Sequence, residues 1–245
     1  MSKPAFAGLS DRGQVREVNE DALAIRPDLG LYLVSDGMGG AARGDLASRI
    51  VAETVPRMME TAIRDAVTPD LESLILPVED SLKQLSIHVR ETANRHPEFA
   101  GMGATVVLAL VRRQRVLLAH MGDSRAYALK YGVLKRLTRD HSVVQALIET
   151  GEIKAKDADS HPAKNQITQC VGMDEEPLPE VDLVQLAAGD RLLLCTDGLT
   201  SMAGDAAIEA VLRQGMSPEE TCAALIAEAN GAGGVDNITA VVVDV

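Results

Sequence analysis

The pattern of hydrophobic positions divides the chain into stretches typical of strands and stretches typical of helices. Short apolar or alternating runs, bounded by Gly, Pro, Asn or Asp, recur along the chain as strands separated by turns would. They predict strands at 5–10, 22–25, 31–35, 104–111, 115–121, 126–130, 133–137, 181–186, 191–196 and 238–243. The longest run, 104–111, is far too short to cross a bilayer.

Two long stretches with helical periodicity follow the third predicted strand. In the first, apolar residues recur on one face from Leu46 to Val55, and Pro56 is expected to end or kink the helix. The second runs from Leu71 to Val89 and carries Pro77 near its first turns. Shorter helices are predicted at 143–149, 206–213 and 218–229.

The order of these elements indicates the fold class. Runs of strands alternate with paired helices, which differs from the regular βαβ order of a doubly wound fold. The order therefore predicts an α+β fold in which antiparallel sheets pack together with helices outside. The length of 245 residues fits a single domain, 1–245, and the irregular residues 142–178 are expected to form an inserted flap.

Composition and charge narrow the possible partners. Hydrophobic residues make up 46% of the chain but aromatic residues only 2%, so Leu, Val, Ile, Ala and Met must build the core. The net charge is −12 and Lys and Arg form no cluster, which makes nucleic acid and anionic membrane poor partners. An acidic protein that acts on phosphates would need bound cations to reverse its local potential.

The cysteines and the N-terminus indicate a cytoplasmic protein. Cys170, Cys195 and Cys222 lie far apart and form no CxxC pair, as expected for reduced thiols. The first residues contain no apolar segment typical of a signal peptide.

Four aspartates lie at boundaries of predicted strands, next to a glycine or an asparagine. They are Asp36, Asp123, Asp197 and Asp236. If these carboxylates converge at the rim of a sheet, they form an oxygen-rich site for hard cations such as Mg²⁺ or Mn²⁺. The alternative is that each Asp-Gly pair only marks a turn.

Seven motifs in a fixed order give these aspartates a context. They occupy residues 10–21, 34–40, 101–105, 122–125, 138–142, 196–199 and 236–239. In these motifs and their spacing the chain resembles the bacterial members of the PP2C (PPM) family of metal-dependent protein serine/threonine phosphatases. The resemblance runs from about Phe6 to Val243.

The resemblance implies a fold and a metal centre. The family fold is a sandwich of two antiparallel sheets flanked by pairs of antiparallel helices, with two metal ions between the sheets at one edge. By the resemblance, Asp36 bridges both ions and the Gly37 carbonyl binds one of them. Asp197 and Asp236 hold the other ion.

The resemblance also assigns supporting roles. Glu20 and Asp21 act through metal-bound waters, and Asp123 binds a third, weaker metal ion. Arg16 grips the substrate phosphate, for which the planar guanidinium is well suited. Asn237 supports Asp236. Without the motif, an ion pair with Glu20 would be the ordinary interpretation of Arg16.

The chain departs from its relatives where a proton donor is expected. Met38 replaces the histidine that some members carry after Asp-Gly, and Ala41 replaces the histidine that bacterial relatives often place after Gly-Gly. His141 is the remaining motif histidine and is expected to be structural. A metal-bound water is therefore the expected donor to the leaving alkoxide.

The resulting expectation is a monomeric enzyme that hydrolyses phosphoserine and phosphothreonine with Mn²⁺ or Mg²⁺ and opposes a Ser/Thr kinase. Two cations can share a water, lower its pKa and hold the phosphoryl oxygens for in-line attack. A catalytically weak relative that binds phosphoproteins as a regulatory module is the alternative. A cysteine phosphatase is excluded because Glu176, Ser201 and Glu228, rather than arginine, follow the cysteines at a distance of six residues.

Overall fold

The computed structural model describes residues 4–39, 43–68 and 70–245, which form two β-sheets and their flanking helices. The strands are β1 (Ala5–Asp11), β2 (Asp21–Arg26), β3 (Leu31–Met38), β4 (Gly103–Ala104), β5 (Val106–Arg112), β6 (Arg115–Met121), β7 (Arg125–Lys130), β8 (Val133–Arg136), β9 (Glu180–Gln185), β10 (Arg191–Cys195) and β11 (Ile238–Asp244). The α-helices are α1 (Gly44–Asp65), α2 (Ile75–Arg95), α3 (Val143–Glu149), α4 (Asp197–Thr200), α5 (Asp205–Leu212) and α6 (Pro218–Gly231). Short 3₁₀ helices occur at Glu72–Leu74, Pro97–Phe99 and Ala155–Ser160.

The two sheets are antiparallel throughout. The first has the strand order β1-β11-β10-β7-β8, and the second has the order β2-β3-β5-β6-β9 with β4 paired to the end of β3. Helices α1 and α2 pack together beside the second sheet, and α5 and α6 pack together beside the first. This architecture confirms the predicted α+β sandwich.

Alternating side chains divide the core into three apolar layers. In β3, Leu31 and Leu33 face the helices α1 and α2, whereas Tyr32 and Val34 face the other sheet. The third layer lies between the first sheet and the helices α4 to α6. Since both faces of each sheet are covered, the central strands are buried, as their nearly continuous apolar sequence requires.

Helix α1 does not end at Pro56. It continues to Asp65, so the expectation that this proline would end the helix is wrong. Proline removes one intrahelical hydrogen bond and crowds the preceding turn. The apolar face on either side of it, with Val51, Val55 and Met59, is fully buried against the second sheet, and this burial offsets the local cost.

Two predicted strand limits also change near the active edge of the sandwich. Strand β3 runs past Asp36 to Met38, because Gly37 and Met38 pair with β4. Asp36 therefore lies inside a strand and not at its end. The predicted strand 104–111 is divided at Thr105, where side-chain hydrogen bonds replace part of the backbone pairing.

Residues 142–178 contain α3 and a 3₁₀ helix and are otherwise irregular. An isolated bridge between Ala104 and Val171 attaches this segment to the body of the fold, and a bridge between Ser142 and Ile167 joins two parts of the segment itself. Among the helices of the described ranges, none combines the length and the apolar character needed to span a bilayer.

Candidate metal centre

A cleft of about 920 Å³ lies where the ends of the two sheets meet. All four aspartates singled out by the sequence line it: Asp36 from the second sheet, Asp123 after β6, Asp197 at the start of α4, and Asp236 just before β11. Glu20 lines it as well. The carboxylates therefore converge. The alternative, that each Asp-Gly pair only marks a turn, does not account for this arrangement.

Asp36 and Asp197 lie close together in the cleft. Their side chains lie within hydrogen-bonding reach of each other. Burial, followed by the charge of Asp197, raises the pKa of Asp36 well above its ordinary value, and burial also raises the pKa of Asp197. Two carboxylates so close need either a shared proton or a cation between them.

Asp21 does not line the cleft but lies close enough to Asp36 and Asp197 to interact with their charges. Its Oδ2 accepts hydrogen bonds from the hydroxyls of Thr196 at 2.8 Å and Thr239 at 2.7 Å. Burial is the main cause that raises the pKa of Asp21 to about 7. Within the described ranges, Oδ1 of Asp21 and Oδ1 of Asp197 are buried without a hydrogen-bond partner. Buried carboxylate oxygens need a partner, and hard cations are bound by such oxygens, so the site fits Mg²⁺ or Mn²⁺.

The Gly37 carbonyl is placed by a close approach of two glycines. A Cβ on Gly37 would lie 2.0 Å from the Gly44 carbonyl oxygen, and a Cβ on Gly44 would lie 2.6 Å from the Gly37 oxygen. The Gly37 N–H donates to the Glu20 carbonyl at 3.1 Å. Only glycine at both positions lets the start of α1 lie against β3 here.

Residues 12–20 form a loop that carries Arg16 to the cleft. Nη2 of Arg16 donates to Oδ2 of Asp236 at 2.7 Å, and both side chains remain partly exposed. The arrangement differs from the ordinary interpretation, in which Arg16 pairs only with Glu20. The guanidinium therefore lies beside one of the predicted metal ligands.

Asn237 fastens this loop to the start of β11. Its Oδ1 accepts from the Glu20 N–H at 2.8 Å, and its Nδ2 donates to the carbonyls of Arg12 and Val18, each at 2.9 Å. Only the backbone N–H of Asn237 reaches the Asp236 carboxylate, at 2.8 Å. The Asn237 side chain thus positions the Arg16 loop, and the backbone of the same residue orients Asp236.

At the cleft, the last hydrogen bond between paired strands of each sheet is accepted by a threonine hydroxyl instead of a backbone carbonyl. In the second sheet, the Thr105 N–H donates to the Asp36 carbonyl at 2.8 Å, but the Asp36 N–H donates to Oγ1 of Thr105 at 2.9 Å. In the first sheet, the Thr196 N–H donates to the Thr239 carbonyl at 3.1 Å, and the Thr239 N–H donates to Oγ1 of Thr196 at 3.0 Å. Both threonines lie within motifs, but sequence reasoning assigned them no role.

Asp123 is tied to Asp36 through Thr105. The hydroxyl of Thr105 lies 2.7 Å from that of Ser124, the residue after Asp123. Burial, followed by the charge of Asp197, raises the pKa of Asp123 to about 7. The predicted third-metal ligand is therefore in the same cleft and in the same electrostatic environment as the core aspartates.

His141 lies outside the cleft lining formed by the described residues and supports the Asp123 loop from behind. Its Nδ1 accepts from the Gly122 N–H at 3.3 Å, and its Nε2 lies 3.2 Å from Oε1 of Glu180. It stacks on His120, whose Nε2 donates to the Arg139 carbonyl at 2.8 Å and whose pKa is lowered by burial.

By distance alone His120, His141 and Glu180 could also hold a metal ion. However, Nδ1 of His141 accepts from the Gly122 N–H, which leaves the proton of the neutral ring on Nε2, the atom that faces Glu180. The Nε2 proton of His120 is given to the Arg139 carbonyl, so neither Nε2 offers a lone pair to an ion. Met38, which stands where some relatives carry a histidine, lines the cleft together with Gly39. Gly40 and Ala41 fall outside the described residues.

The cleft extends away from the aspartates toward α2 and toward residues 142–178. Arg90 and Asn94 of α2 line one side of this extension, and Lys164, Ile167 and Cys170 line the other. Nη1 of Arg90 donates to the Asp174 carbonyl at 2.8 Å and thereby connects the two sides.

Comparison with known proteins shows similarity along almost the whole chain. The sequence profile described as Protein phosphatase 2C matches residues 11–229. The serine/threonine phosphatase stp of Listeria innocua is 32% identical over 238 residues, which cover 96% of this chain and 93% of that protein. The crystal structure of the serine/threonine phosphatase Stp1 from Staphylococcus aureus superposes with a TM-score of 0.91 at 30% identity, covering 100% of this chain and 96% of the other.

A further solved structure bears on the metal centre. The catalytic domain of the serine threonine protein phosphatase PstP, in complex with two manganese ions, superposes with a TM-score of 0.80 at 33% identity. The alignment covers 98% of this chain and 97% of that domain.

Proposed function

Because this chain belongs to the protein phosphatase 2C family, we propose that it hydrolyses phosphoserine and phosphothreonine in proteins through two divalent cations, Mn²⁺ or Mg²⁺. The family match confirms the resemblance indicated by the seven motifs. Phosphatases of this family are metal-dependent hydrolases of phosphoproteins.

The observation that carries this proposal is the convergence of Asp36, Asp123, Asp197 and Asp236 in one cleft. Asp36 would lie between the two ions, the Gly37 carbonyl would bind one, and Asp197 and Asp236 would bind the other. The buried, unpartnered Oδ1 atoms of Asp21 and Asp197 support this assignment. When bound, such a pair of cations lowers the pKa of a coordinated water and stabilises the charge of the phosphoryl group.

The remaining residues bind, orient and support. Arg16 presents a forked donor to the phosphate, and its partial exposure leaves it free to exchange Asp236 for phosphate oxygens. Glu20 and Asp21 would act through waters held at the ions, and Asp123 would hold a third, weaker ion. His141 is engaged by Gly122 and Glu180 behind the Asp123 loop, which supports solvent or a metal-held water as proton donor to the leaving alkoxide.

The extension of the cleft supports a protein-sized substrate. We propose that residues 142–178 form a flap within one domain, 1–245, and that the phosphoprotein chain lies between this flap and α2. The likeness to serine/threonine phosphatases supports a role against a Ser/Thr kinase. Three free, buried thiols support a reducing, cytoplasmic location, and a monomer suffices because the residues assigned to the centre all come from one chain.

Metal dependence of purified protein tests the proposal. Chelator-treated protein should not hydrolyse a phosphoserine peptide, and added Mn²⁺ should restore turnover. Asp36→Asn should lose at least about a hundredfold in kcat/KM, in the range for a change at a transition-state-stabilising group, and should bind less Mn²⁺ by calorimetry. Asp182→Asn, an exposed change on β9, is the matched control and should behave as the wild type.

Turnover that persists in excess chelator would contradict the proposal. Tight binding of the phosphopeptide without turnover, in the presence of Mn²⁺, would instead favour the regulatory-module alternative.

A further inference from the structure

A second pocket, of about 950 Å³, lies at the end of the sandwich opposite to the metal centre. Strand β3 lines this pocket through Tyr32 and the metal cleft through Asp36. Strand β11 starts beside Asp236 at the cleft and ends at Asp244, which lines the pocket. Among the described residues, none lines both. The volume is in the usual range for small-molecule sites, so the pocket is a candidate binding site separate from the metal centre.

The walls of the pocket are mostly apolar. Pro4, Phe6, Pro27 and Val111 line it. Phe6 also packs against Tyr32, with the two ring centroids 5.5 Å apart. Walls of this kind bind the apolar body of a ligand, because binding removes both surfaces from water.

The Tyr32 hydroxyl faces this pocket without a hydrogen-bond partner among the described residues. Tyr32 is only 1% exposed, and it lines the pocket. Its hydroxyl is not one of the fully enclosed unpartnered atoms of the described ranges, which are Oδ1 of Asp21, Asp197 and Asn230. The small exposed part of Tyr32 therefore includes the hydroxyl. Burial raises the pKa of Tyr32, so the group stays an O–H donor, and a donor so placed needs an acceptor.

Arg112 brings a positive charge to the same pocket. Its Nη1 donates to the Leu29 carbonyl at 2.5 Å, and a Cβ on Gly30 would lie 2.9 Å from the same nitrogen, so the guanidinium is held in place. Arg112 is partly buried, and burial lowers its pKa. Within the ranges that the structure describes, no carboxylate forms an ion pair with it. A partly buried cation in this situation favours an anionic ligand.

The one carboxylate that lines the pocket is already paired elsewhere. Both oxygens of Asp244 accept hydrogen bonds from Arg191, at 2.6 Å and 3.0 Å. Arg113, the next residue in the turn between β5 and β6, lines the pocket beside Arg112. The pocket is therefore locally positive, although the net charge of the chain is −12.

We infer that this pocket, which we call the Tyr32 pocket, binds a small molecule that joins an apolar body to one anionic group, such as an aromatic carboxylate. The anionic group binds Arg112, the apolar body lies against Phe6 and Val111, and the Tyr32 hydroxyl donates to an oxygen of the ligand. The site goes beyond the proposed function and does not depend on it.

Dansylglycine and its uncharged amide test the inference by fluorescence titration. Both have the same aromatic body and sulfonyl oxygens, but only the acid carries a negative charge. The wild type should bind the acid about tenfold to a hundredfold more tightly than the amide, the range for a hydrogen bond to a charged group.

Three variants locate the probe. Arg112→Gln should abolish the preference for the acid over the amide. Lys135→Gln makes the same change of charge at an exposed position on β8 and should keep the preference. Tyr32→Phe keeps the ring and its packing on Phe6, so it should fold like the wild type. It should weaken the binding of both probes by about two- to tenfold, as for the loss of an uncharged hydrogen bond.

The Tyr32 pocket would be overturned if the wild type bound neither probe, or bound the acid and the amide equally. The same conclusion would follow if Arg112→Gln kept the preference, or if Lys135→Gln lost it as well. Unchanged affinities in Tyr32→Phe would also overturn the inference, and this arm holds even if Arg112→Gln folds poorly.

Discussion

Thr105→Val removes the hydroxyl that positions Asp36 but keeps the volume of the side chain in the core. It therefore tests the positioning role separately from packing. Thr105 is fully buried, and its hydroxyl accepts from the Asp36 N–H at 2.9 Å and lies 2.7 Å from the Ser124 hydroxyl. Valine has the same shape but offers no acceptor. The Thr105 carbonyl already accepts from the Ser35 hydroxyl at 2.6 Å.

The size of the effect follows from these contacts. A buried polar group left without a partner costs about 1–3 kcal/mol, so the Asp36 N–H and the Ser124 hydroxyl together should lower the free energy of unfolding by about 2–6 kcal/mol. Thr105→Ser keeps the hydroxyl and removes one methyl group. It should cost only about 0.5–1.5 kcal/mol, as for other losses of one buried methyl.

Metal binding gives the decisive readout. The valine variant frees the backbone of Asp36, so it should weaken Mn²⁺ binding by calorimetry and lower kcat/KM. The serine variant should bind Mn²⁺ like the wild type, despite its own loss of stability in urea denaturation of the metal-free protein. Equal Mn²⁺ affinity for the wild type and Thr105→Val, or an equal loss in both variants, would refute the positioning role.

Four further outcomes are expected. Arg16→Ala should weaken phosphate binding by about 1.5–3 kcal/mol, and Arg16→Lys should restore it in part. If Arg16→Ala hydrolyses a phosphopeptide with wild-type kinetics, Arg16 forms only a surface ion pair. Asp123→Ala should keep the tightest Mn²⁺ binding in calorimetry but lose activity, most at low metal concentration; loss of the tightest site would contradict this assignment. His141→Ala should change hydrolysis of phosphopeptide and nitrophenyl phosphate by similar factors across pH, whereas a loss of about a hundredfold confined to the phosphopeptide would make it the general acid. Finally, folding raises the pKa of Asp21 from 3.8 to about 7, so its contribution to stability is lost as pH rises through this range. The melting temperature of the metal-free protein should therefore fall between about pH 4 and pH 7, an Asp21→Asn variant should fall less, and a pH-independent melting temperature would contradict the shift.

The local elements and the ligand types were accessible from the sequence. Alternation in β3 and helical periodicity in α2 follow from which side chains must be buried, and each depends on neighbours a few residues away. The order of the seven motifs indicated the family, and the order of strands and helices indicated an α+β sandwich. Both expectations are confirmed. The roles of the individual ligands stay predictions that metal binding must test.

The tertiary structure decided what lies beside what at the centre. Asp36 comes from one sheet and Asp197 and Asp236 from the other, so their mutual approach, and the raised pKa of Asp36, depend on how the sheets pack. The hydroxyls of Thr105 and Thr196 act on residues far away in sequence, which no local pattern reports.

The same reason explains the expectations that failed. Of the two effects expected of Pro56, an end or a kink of α1, the end does not occur: the helix continues through Pro56 because burial against the second sheet offsets the lost hydrogen bond. Asp36 was placed at the end of a strand, but β4 extends the pairing of β3 beyond it. An interior proline costs a helix about 3 kcal/mol, and only packing between segments distant in sequence, here α1 against the second sheet, supplies the compensation.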